Sequence, residues 1–308
     1  MGLIEVIKPG QLSLIHDFGR FGLSQLGLTQ GGPIDDYAYS WANFLLKNPT
    51  NSAVIEITLG QAAFYIHHEC MLALCGGDLQ AKLDGQPVAN WSRFAAKKGQ
   101  LLTFSLPRNG LRAYLAVKGG FEAPEHYGSC STVERDRLGG LHCDGKGLNA
   151  GEFIAFHQHQ TIKRSRKVTF RFTPDYNLPL VLRLIESYQC DKFSPAAKST
   201  LYESEYTVSQ SSNRMGYRLE GPALEAPSDS LLSEGIALGS VQIPPDGHPI
   251  ILLNDRQTLG GYPKLGCVAR IDLPRLAQAK PGQKVFFTQG DREGLQKVWC
   301  KWARFFGY

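Results

Sequence analysis

The sequence of 308 residues lacks the patterns that mark several common protein classes. It has no run of about 18 apolar residues, so no membrane-spanning helix is expected. The P-loop patterns GxxxxGKS and GxxxxGKT, the dinucleotide-binding pattern GxGxxG and the nucleophile elbow GxSxG are all absent. No CxxC pair occurs either, which leaves a thiolate zinc site without support. We therefore expect neither a bound metal nor ATP binding through a P-loop.

Cysteine usage and the first residues both indicate a reducing compartment. The seven cysteines are an odd number and are spread along the chain without tight pairing, which is not the pattern of a disulfide framework. Residues Met1 to Gly10 are typical of a strand and a turn, and they lack the basic start and apolar run of a signal peptide. We therefore expect the chain in the cytoplasm.

Basic residues are scattered along the chain, although the formal net charge is +5. The one short cluster, Lys163, Arg164, Arg166 and Lys167, is more typical of a solvated strand end or interdomain segment than of a phosphate-binding patch. Neither nucleic acid nor a membrane is expected as a partner.

Short apolar strands separated by glycine-containing turns dominate the sequence. They predict a mainly β fold with few helices, built as barrels or sandwiches rather than as a doubly wound sheet. The polar stretch from Gln158 to Lys167 predicts a boundary between an N-terminal β-rich domain, residues 1–160, and a C-terminal domain, residues 161–308. The predicted strands include Val54–Thr58, Ala62–Ile66, Met71–Cys75, Leu101–Leu106, Leu111–Val117, Val168–Phe172, Val181–Ile185, Ile250–Leu253 and Lys284–Thr288.

Two segments have helical periodicity. The first runs from Asp35 to Lys47, where Asp35 can cap the first turn and Asn48-Pro49 ends the helix. The second is C-terminal and is expected to dock on the core rather than to bind a partner. Its apolar stripe is Leu295, Val298, Trp299, Trp302 and Phe306. Between two apolar runs, Asp84-Gly85 predicts a tight hairpin turn, because both residues tolerate positive φ.

The loop from Asn254 to Lys264 is the most informative segment. It follows an apolar strand and gathers a carboxylate, a guanidinium, an amide, a hydroxyl and an ammonium group within eleven residues. The pair Gly260-Gly261 allows close backbone approach to a ligand. Polar groups on a loop between rigid strands commonly form a binding site. The composition of this loop is equally compatible with a binding site and with a structural turn.

Three further segments contain residue types that could bind a ligand or react, and each also has a purely structural interpretation. In the segment Ser212 to Pro222, two arginines could hold a carboxylate or carbonyl, or could form ion pairs, for example with Glu220. The N-terminal segments His16 to Gly22 and Gly31 to Asp35 fit either a site or tight turns before the first helix. The segment Gly128 to Thr132 contains Ser129 and Cys130, but no base is assignable to either, so covalent catalysis is not favoured.

Two histidine pairs are candidates for metal ligation. His157 and His159 would share one side of a strand, but no third ligand is identifiable. His67 and His68 would point to opposite faces of their strand, which argues against joint ligation. No metal site is predicted.

Several long motifs, kept in order over nearly the whole chain, resemble the allophanate hydrolase subunit 2 family. This family is also called the biotin-dependent carboxyltransferase-like or KipA family. The motifs are Asp17-Phe18-Gly19-Arg20, Gly32-Pro33-Ile34-Asp35, Ala42-Asn43, Glu56-Ile57-Thr58, Tyr114-Leu115-Ala116-Val117, Gly128-Ser129, Ser212 to Gly221, Gln242-Ile243-Pro244 and Asn254 to Pro263. Two positions depart from the family's usual pattern, His16 in place of Gln and Cys130 in place of Arg, and either could alter a binding detail.

The resemblance implies cyclophilin-like β-barrel domains, in agreement with the strand-rich texture. It also implies one component of an ATP-dependent 5-oxoprolinase, which opens 5-oxo-L-proline to L-glutamate. The implied partners are the A subunit and the KipI-like B subunit of that enzyme, with ATP used at the level of the complex. The isolated chain is then expected to be inactive, because no complete catalytic set is visible in it.

The resemblance also directs the choice of site residues, because opening a lactam through a phosphorylated amide oxygen would require cationic donors. Arg214, Arg218 and Lys264 are the candidates for positioning a carboxylate or phosphate, and the loop's polar residues are the candidates for amide recognition or proton transfer. The predicted catalytic residues are Asp255, Gln257, Thr258 and Lys264. The predicted substrate-binding residues are Asn213, Arg214, Arg218, Gly260, Gly261 and Tyr262.

Three other functions remain open on the same resemblance. The chain could be a biotin-dependent carboxyltransferase component acting on a urea-like amide, with biotin arriving on another protein because no Met-Lys-Met attachment motif occurs. It could be a KipA-like regulatory protein that antagonises an inhibitor of a sensor kinase. It could also be a scaffold whose only task is to complete the site of the KipI-like subunit.

Overall fold

The computed structural model describes residues 1–159, 165–227 and 232–308. These residues form a mainly β fold with few helices, as the sequence predicts. The strands are β1 Gly2–Pro9, β2 Leu12–His16, β3 Val54–Thr58, β4 Ala62–Ile66, β5 Cys70–Asp78, β6 Lys82–Leu83, β7 Gln86–Pro87, β8 Ser92–Ala96, β9 Leu101–Thr103, β10 Asn109–Val117, β11 Phe121–Glu122, β12 Phe153–Phe156, β13 Arg166–Lys167, β14 Leu180–Glu186, β15 Tyr206–Val208, β16 Gly216–Glu220, β17 Glu234–Gly235, β18 Ser240–Gln242, β19 Ile250–Leu252, β20 Leu259–Gly260, β21 Lys264–Val268 and β22 Lys284–Gln289. The α-helices are α1 Asp36–Leu46, α2 Pro195–Glu203, α3 Leu273–Ala277 and α4 Arg292–Phe306.

The chain divides into two compact units that are interleaved in sequence. Unit 1 comprises Met1–Arg20, Gly31–Tyr176 and Phe306–Tyr308, and unit 2 comprises Phe21–Gln30 and Asn177–Phe305. The predicted boundary at residues 160 and 161 lies outside the described residues, as do Lys163 and Arg164 of the basic cluster. That boundary stays a prediction.

Unit 1 is built on two sheets and one long helix. The strand orders are β11-β12-β1-β4-β9-β6-β7 and β13-β8-β5-β10-β3-β2. Helix α1 packs against β5 and β10. The Asp35 side chain accepts a hydrogen bond from the Ala38 amide at 2.8 Å, which confirms the predicted cap. The fully buried apolar side chains of this unit, such as Ile4, Phe64 and Leu115, form one continuous core.

Unit 2 contains a closed barrel with strand order β14-β21-β18-β19-β16-β15-β22. Its first and last strands, β14 and β22, lie side by side in parallel, and the other pairs are antiparallel. A separate two-stranded ribbon joins β17 and β20, with Glu234 opposite Gly260 and Gly235 opposite Leu259. Among the described residues, no helix has both the length and the apolar character needed to cross a bilayer.

Most local predictions are confirmed, and one is wrong in an instructive way. The strands predicted at Val54–Thr58 and Ala62–Ile66 match β3 and β4, and Asp84 and Gly85 both have positive φ in the β6–β7 hairpin. The strand predicted at Val168–Phe172 is wrong, since Phe170–Phe172 is a 3₁₀ helix with Phe170 86% exposed.

The C-terminal helix exists where it is predicted, but its apolar stripe is broken. Leu295 and Phe306 are buried as expected, whereas Val298 is 48% exposed. Phe306, which belongs to unit 1, packs edge-on against Trp41 of the same unit, with ring centroids 5.3 Å apart.

Candidate functional site

In unit 2, Arg214 and Asp255 form a buried ion pair at one end of the barrel. Strands β16 and β19 pair with Gly216 opposite Leu252, so the residues before β16 meet the residues after β19. The Arg214 Nε lies 2.8 Å from Asp255 Oδ2 and its Nη2 lies 3.0 Å from Oδ1, with both side chains 7% exposed. A two-pronged pair of this kind fixes the base of the Asn254–Lys264 loop and leaves neither group pointing freely to a ligand.

The two other predicted residues near β16 also make contacts within the protein. Arg218 forms an ion pair with Asp246, both partly exposed. The Asn213 side-chain oxygen accepts a hydrogen bond from the Met215 amide at 2.8 Å, which shapes the turn into β16. The Glu220 pairing considered from the sequence is replaced by these Asp255 and Asp246 partners.

Arg256, in the same loop, turns inward. Its Nε donates to the Ile236 carbonyl oxygen at 3.0 Å and its Nη1 to that of Leu253 at 3.2 Å. Burial lowers the pKa of this guanidinium to about 10, so it keeps its charge at neutral pH. Arg256 therefore anchors the loop to the segment that follows β17 rather than facing solvent.

Lys264 begins β21 and is the centre of a polar network. Its Nζ lies 2.6 Å from Glu234 Oε1, and Lys264 itself is 8% exposed against 34% for Glu234. Tyr188 donates its hydroxyl to the same carboxylate, and Gln189 Nε2 lies 2.7 Å from Glu234 Oε1. The Lys264 amide in turn donates to Gln189 Oε1 at 2.8 Å.

The network holds one carboxylate in its charged form. The hydrogen bond from Lys264, followed by that from Tyr188, lowers the pKa of Glu234. The same bond to Glu234 raises the pKa of the Tyr188 phenol, so this hydroxyl stays protonated and donates. Glu234, Tyr188 and Gln189 were not predicted from the sequence, because they lie far from the loop along the chain and belong to no recognisable pattern.

The remaining loop residues lie around the ribbon and an adjacent cleft. Gln257 and Thr258 are half-buried, immediately before β20. Gly261 and Tyr262 follow β20 and line a cleft of about 700 Å³, whose wall also includes Asp246. The structure thus gathers Gln257, Thr258 and the Gly-Gly-Tyr segment at the ribbon, beside the Lys264 network.

The N-terminal motif of unit 1 forms a buried, hydrogen-bonded structural cluster. The Asp17 carboxylate, 2% exposed, accepts hydrogen bonds from the Gly19 and Cys130 amides and from the Ser129 and Ser131 hydroxyls at 2.5 to 3.0 Å. Arg20 donates to the Ser129 and Ser131 carbonyl oxygens at 3.1 and 2.7 Å. These bonds join the Asp17–Arg20 turn to the segment Gly128–Thr132.

Cys130 and Ser129 are poorly suited to nucleophilic attack. Ser129 has no exposed surface and Cys130 is 4% exposed. Burial, followed by the nearby Asp17 charge, raises the pKa of the Cys130 thiol far above its ordinary value, so the reactive thiolate is not formed near neutral pH. This agrees with the sequence argument against covalent catalysis.

A second buried hydrogen-bond network in unit 1 contains residues of three more motifs. Glu56 has no exposed surface, and its Oε2 accepts from the Tyr114 hydroxyl at 2.8 Å and the Ile34 amide at 3.2 Å. Asp35 Oδ2 accepts from the Tyr176 hydroxyl at 3.0 Å. These bonds fix the start of α1 to the sheet, so the motifs are structural here.

The histidines of the two candidate pairs make other contacts. His157 lies after the end of β12, with its Nε2 2.8 Å from Glu122 Oε1, and His67 Nε2 lies 2.8 Å from Glu5 Oε2. Across residues 1–159, 165–227 and 232–308, no group of three or more His, Cys, Asp or Glu side chains is arranged to hold a metal ion.

Comparisons with known proteins show which family has this architecture. The profile of the carboxyltransferase domain family, subdomains A and B, matches residues 26–289. The chain is 34% identical over 305 residues to the C subunit of 5-oxoprolinase from Escherichia coli strain K12, covering 99% of this chain and 96% of that protein.

Two crystal structures share the fold over most of this chain. The urea carboxylase of Kluyveromyces lactis superposes with a TM-score of 0.87 at 25% identity, covering 99% of this chain but 29% of that one. The protein TTHA0988 superposes with a TM-score of 0.85 at 31% identity, covering 94% of this chain and 56% of that one. The chain thus spans little more than half of TTHA0988 and less than a third of the urea carboxylase. The resemblance inferred from the motifs is confirmed, and the chain belongs to the carboxyltransferase domain family, subdomains A and B.

Proposed function

We propose that this chain is one component of a cytoplasmic, ATP-dependent 5-oxoprolinase that opens 5-oxo-L-proline to L-glutamate together with the A and B subunits of that enzyme. The observation that carries the proposal is the match to the C subunit of 5-oxoprolinase, which covers 99% of this chain and 96% of that protein. The match to the urea carboxylase covers 29% of that larger chain. A free-standing subunit is therefore the better counterpart.

The substrate-facing groups of this chain are assigned to the ribbon and the Lys264 network. Glu234 takes one of the three N–H groups of the Lys264 ammonium, and we assign the remaining N–H groups to a substrate carboxylate or a developing oxyanion. Gln257 and Thr258 offer neutral donors and acceptors for the amide, and Gly260 and Gly261 let the backbone approach the ligand. Arg214 and Asp255 hold the base of the loop and act through it.

Within the described part of the chain, the predicted cations do not form an ATP site. Arg214 is paired with Asp255 and Arg218 with Asp246, so Lys264 is the one predicted cation assigned to a ligand, and a single ammonium group is too little charge for a triphosphate. We assign ATP to another member of the complex. The chain by itself is accordingly expected to be inactive.

The decisive experiment measures glutamate formed from 5-oxoproline and ATP by the purified A and B subunits, with and without this chain. Glutamate that appears only with this chain supports an essential role in 5-oxoprolinase. Lys264→Met should then reduce the rate by about tenfold or more, as expected for loss of a charged hydrogen-bonding group. The three proteins co-eluting on size exclusion, yet forming no glutamate, would contradict the proposal.

A second candidate, a biotin-dependent carboxyltransferase component for a urea-like amide, is favoured by the TM-score of 0.87 with the urea carboxylase. The neutral donors of Gln257 and Thr258 would also fit the oxygen of a ureido group. On this alternative, biotin arrives on another protein and supplies the carboxyl group for transfer. The test is consumption of a carboxybiotin carrier protein in the presence of urea, compared with and without this chain.

A further inference from the structure

Gln242, at the end of β18, is a buried polar residue whose hydrogen-bonding capacity is not fully used. It is 1% exposed, and its Nε2 atom makes no hydrogen bond within the described part of the chain. Buried amide groups in folded proteins nearly always have partners, and an unmet donor is destabilising. A residue that lowers stability in this way calls for a functional reason.

The position of Gln242 places this donor in the proposed site. In the β18–β21 pair, Gln242 lies directly opposite Lys264. A Cβ atom built on Gly260 would lie 3.1 Å from Gln242 Nε2 and 3.6 Å from Gln257 Nε2. Two side-chain amide nitrogens therefore converge beneath the ribbon glycine, next to the lysine.

The side of Gln242 that faces Gly260 lies near the ribbon and the Ile236 side chain. The same Cβ position would lie 2.6 Å from Cδ1 of Ile236, the terminal methyl group of a buried side chain. The ribbon above it has two residues in each strand, and Leu259 in that ribbon is 61% exposed. A short, exposed ribbon opens at low free-energy cost, so a shift of the ribbon together with a change of the Ile236 rotamer would expose the amide.

We propose that Gln242 is a specificity-determining residue whose Nε2–H group donates to the carbonyl oxygen of a planar amide ligand, the lactam oxygen of 5-oxoproline in the proposed function on which this inference rests. A neutral donor suits a neutral carbonyl, and Lys264 beside it suits the ligand's carboxylate. A site built to satisfy one buried donor discriminates against ligands that lack the matching oxygen.

The test compares two buried glutamines. Gln189, 3% exposed, has both ends of its amide engaged, with Glu234 at 2.7 Å and the Lys264 amide at 2.8 Å. Gln189→Met should therefore lower the Tm. Gln242→Met removes an unmet donor at similar volume, so its Tm should equal or exceed that of the wild type; Gln242→Leu serves as a second variant.

In the complex with the A and B subunits, Gln242→Met should raise the KM for 5-oxoproline about tenfold and change kcat less, as expected when a ground-state hydrogen bond is lost. A KM within about twofold of the wild type overturns the proposal, whatever the Tm. If Gln242 has only a structural role, Gln242→Met should lower the Tm and leave the KM unchanged.

Direct binding separates this inference from the proposed function. If the wild-type complex forms no glutamate, the proposed function fails, and 5-oxoproline, urea and 2-imidazolidinone are tested for their effect on the Tm of the complex. A stabilisation by one of these probes that is lost in Gln242→Met supports the assignment. If none stabilises the wild type, or if the variant responds equally, the assignment fails as well.

Discussion

The motif residues of the two units differ in how deeply their charged groups are buried. In unit 1, Asp17 and Glu56 lie in the interior and accept bonds from backbone amides and hydroxyl groups around them. In unit 2, Asp255 is buried in the same manner. Lys264, nine residues after it, is also buried, but its partner Glu234 is partly exposed to solvent. The difference indicates that sequence motifs mark structural networks as readily as binding sites, and that the exposure of the charged groups distinguishes the two.

The largest expected effect comes from breaking the Arg214–Asp255 pair. Arg214→Met leaves an unpaired buried carboxylate, so the free energy of unfolding should fall by about 3–5 kcal/mol, as measured by urea denaturation. The double variant Arg214→Met with Asp255→Leu should recover much of that loss. If Arg214→Met retains full stability and loses only activity, Arg214 binds the ligand, and the comparison between the units breaks down.

A smaller but still large effect is expected at Asp17. Asp17→Asn keeps the shape and replaces one acceptor oxygen by a donor that faces other donors, so stability should fall by about 2–3 kcal/mol. Urea denaturation is again the measurement, with Asp144→Asn on the exposed surface as a control that should change little. An unchanged midpoint for Asp17→Asn would show that this cluster is not structural.

The Glu234–Lys264 pair should give a pH-dependent effect. The folded state lowers the pKa of Glu234 from its ordinary value of 4.5, so its contribution to stability is present above that value and is lost as the pH falls through the folded value. The difference in unfolding midpoint between wild type and Glu234→Gln should therefore be present at pH 7 and shrink as the solution is acidified below the ordinary pKa. A difference that grows with acidity would contradict the pairing.

The smallest effect is expected at Cys130. Because its thiol is buried and its pKa is raised, it should react with a disulfide reagent much more slowly than the half-buried Cys143, Cys267 and Cys300 in the native protein. Cys130→Ala should retain activity in the complex. Rapid labelling of Cys130, together with loss of glutamate formation, would reopen a catalytic role for the Gly128–Thr132 segment.

Local sequence signals predicted much of the fold because they act over short distances. The Asp84-Gly85 turn and the Asp35 cap each depend on two to four neighbouring residues, so they are visible without tertiary information. The run Val168–Phe172 has strand composition, but only the folded chain shows Phe170 exposed in a 3₁₀ helix. A short apolar run does not by itself define its own conformation.

The candidate site was predicted only in part for the same reason. The loop Asn254–Lys264 was visible because its polar groups are adjacent in sequence. Glu234, Tyr188 and Gln242 join it through strand pairing and side-chain contacts across the barrel. The ion partners of Arg214 and Arg218 could not be predicted from the sequence either, because Asp255 and Asp246 are 41 and 28 residues away in the chain.

The parallel neighbours β14 and β22 have a consequence for synthesis on the ribosome. Leu180 pairs with Val285 and Leu184 with Gln289, so the barrel closes only after about a hundred further residues have been made. Until then β14 has an unpaired edge, which is a template for association with other nascent chains. The segment Phe21–Gln30 is translated early but belongs to unit 2, so it cannot pack until the rest of that unit has been synthesised. A stop codon before residue 284 should therefore yield an aggregating product rather than a smaller folded protein.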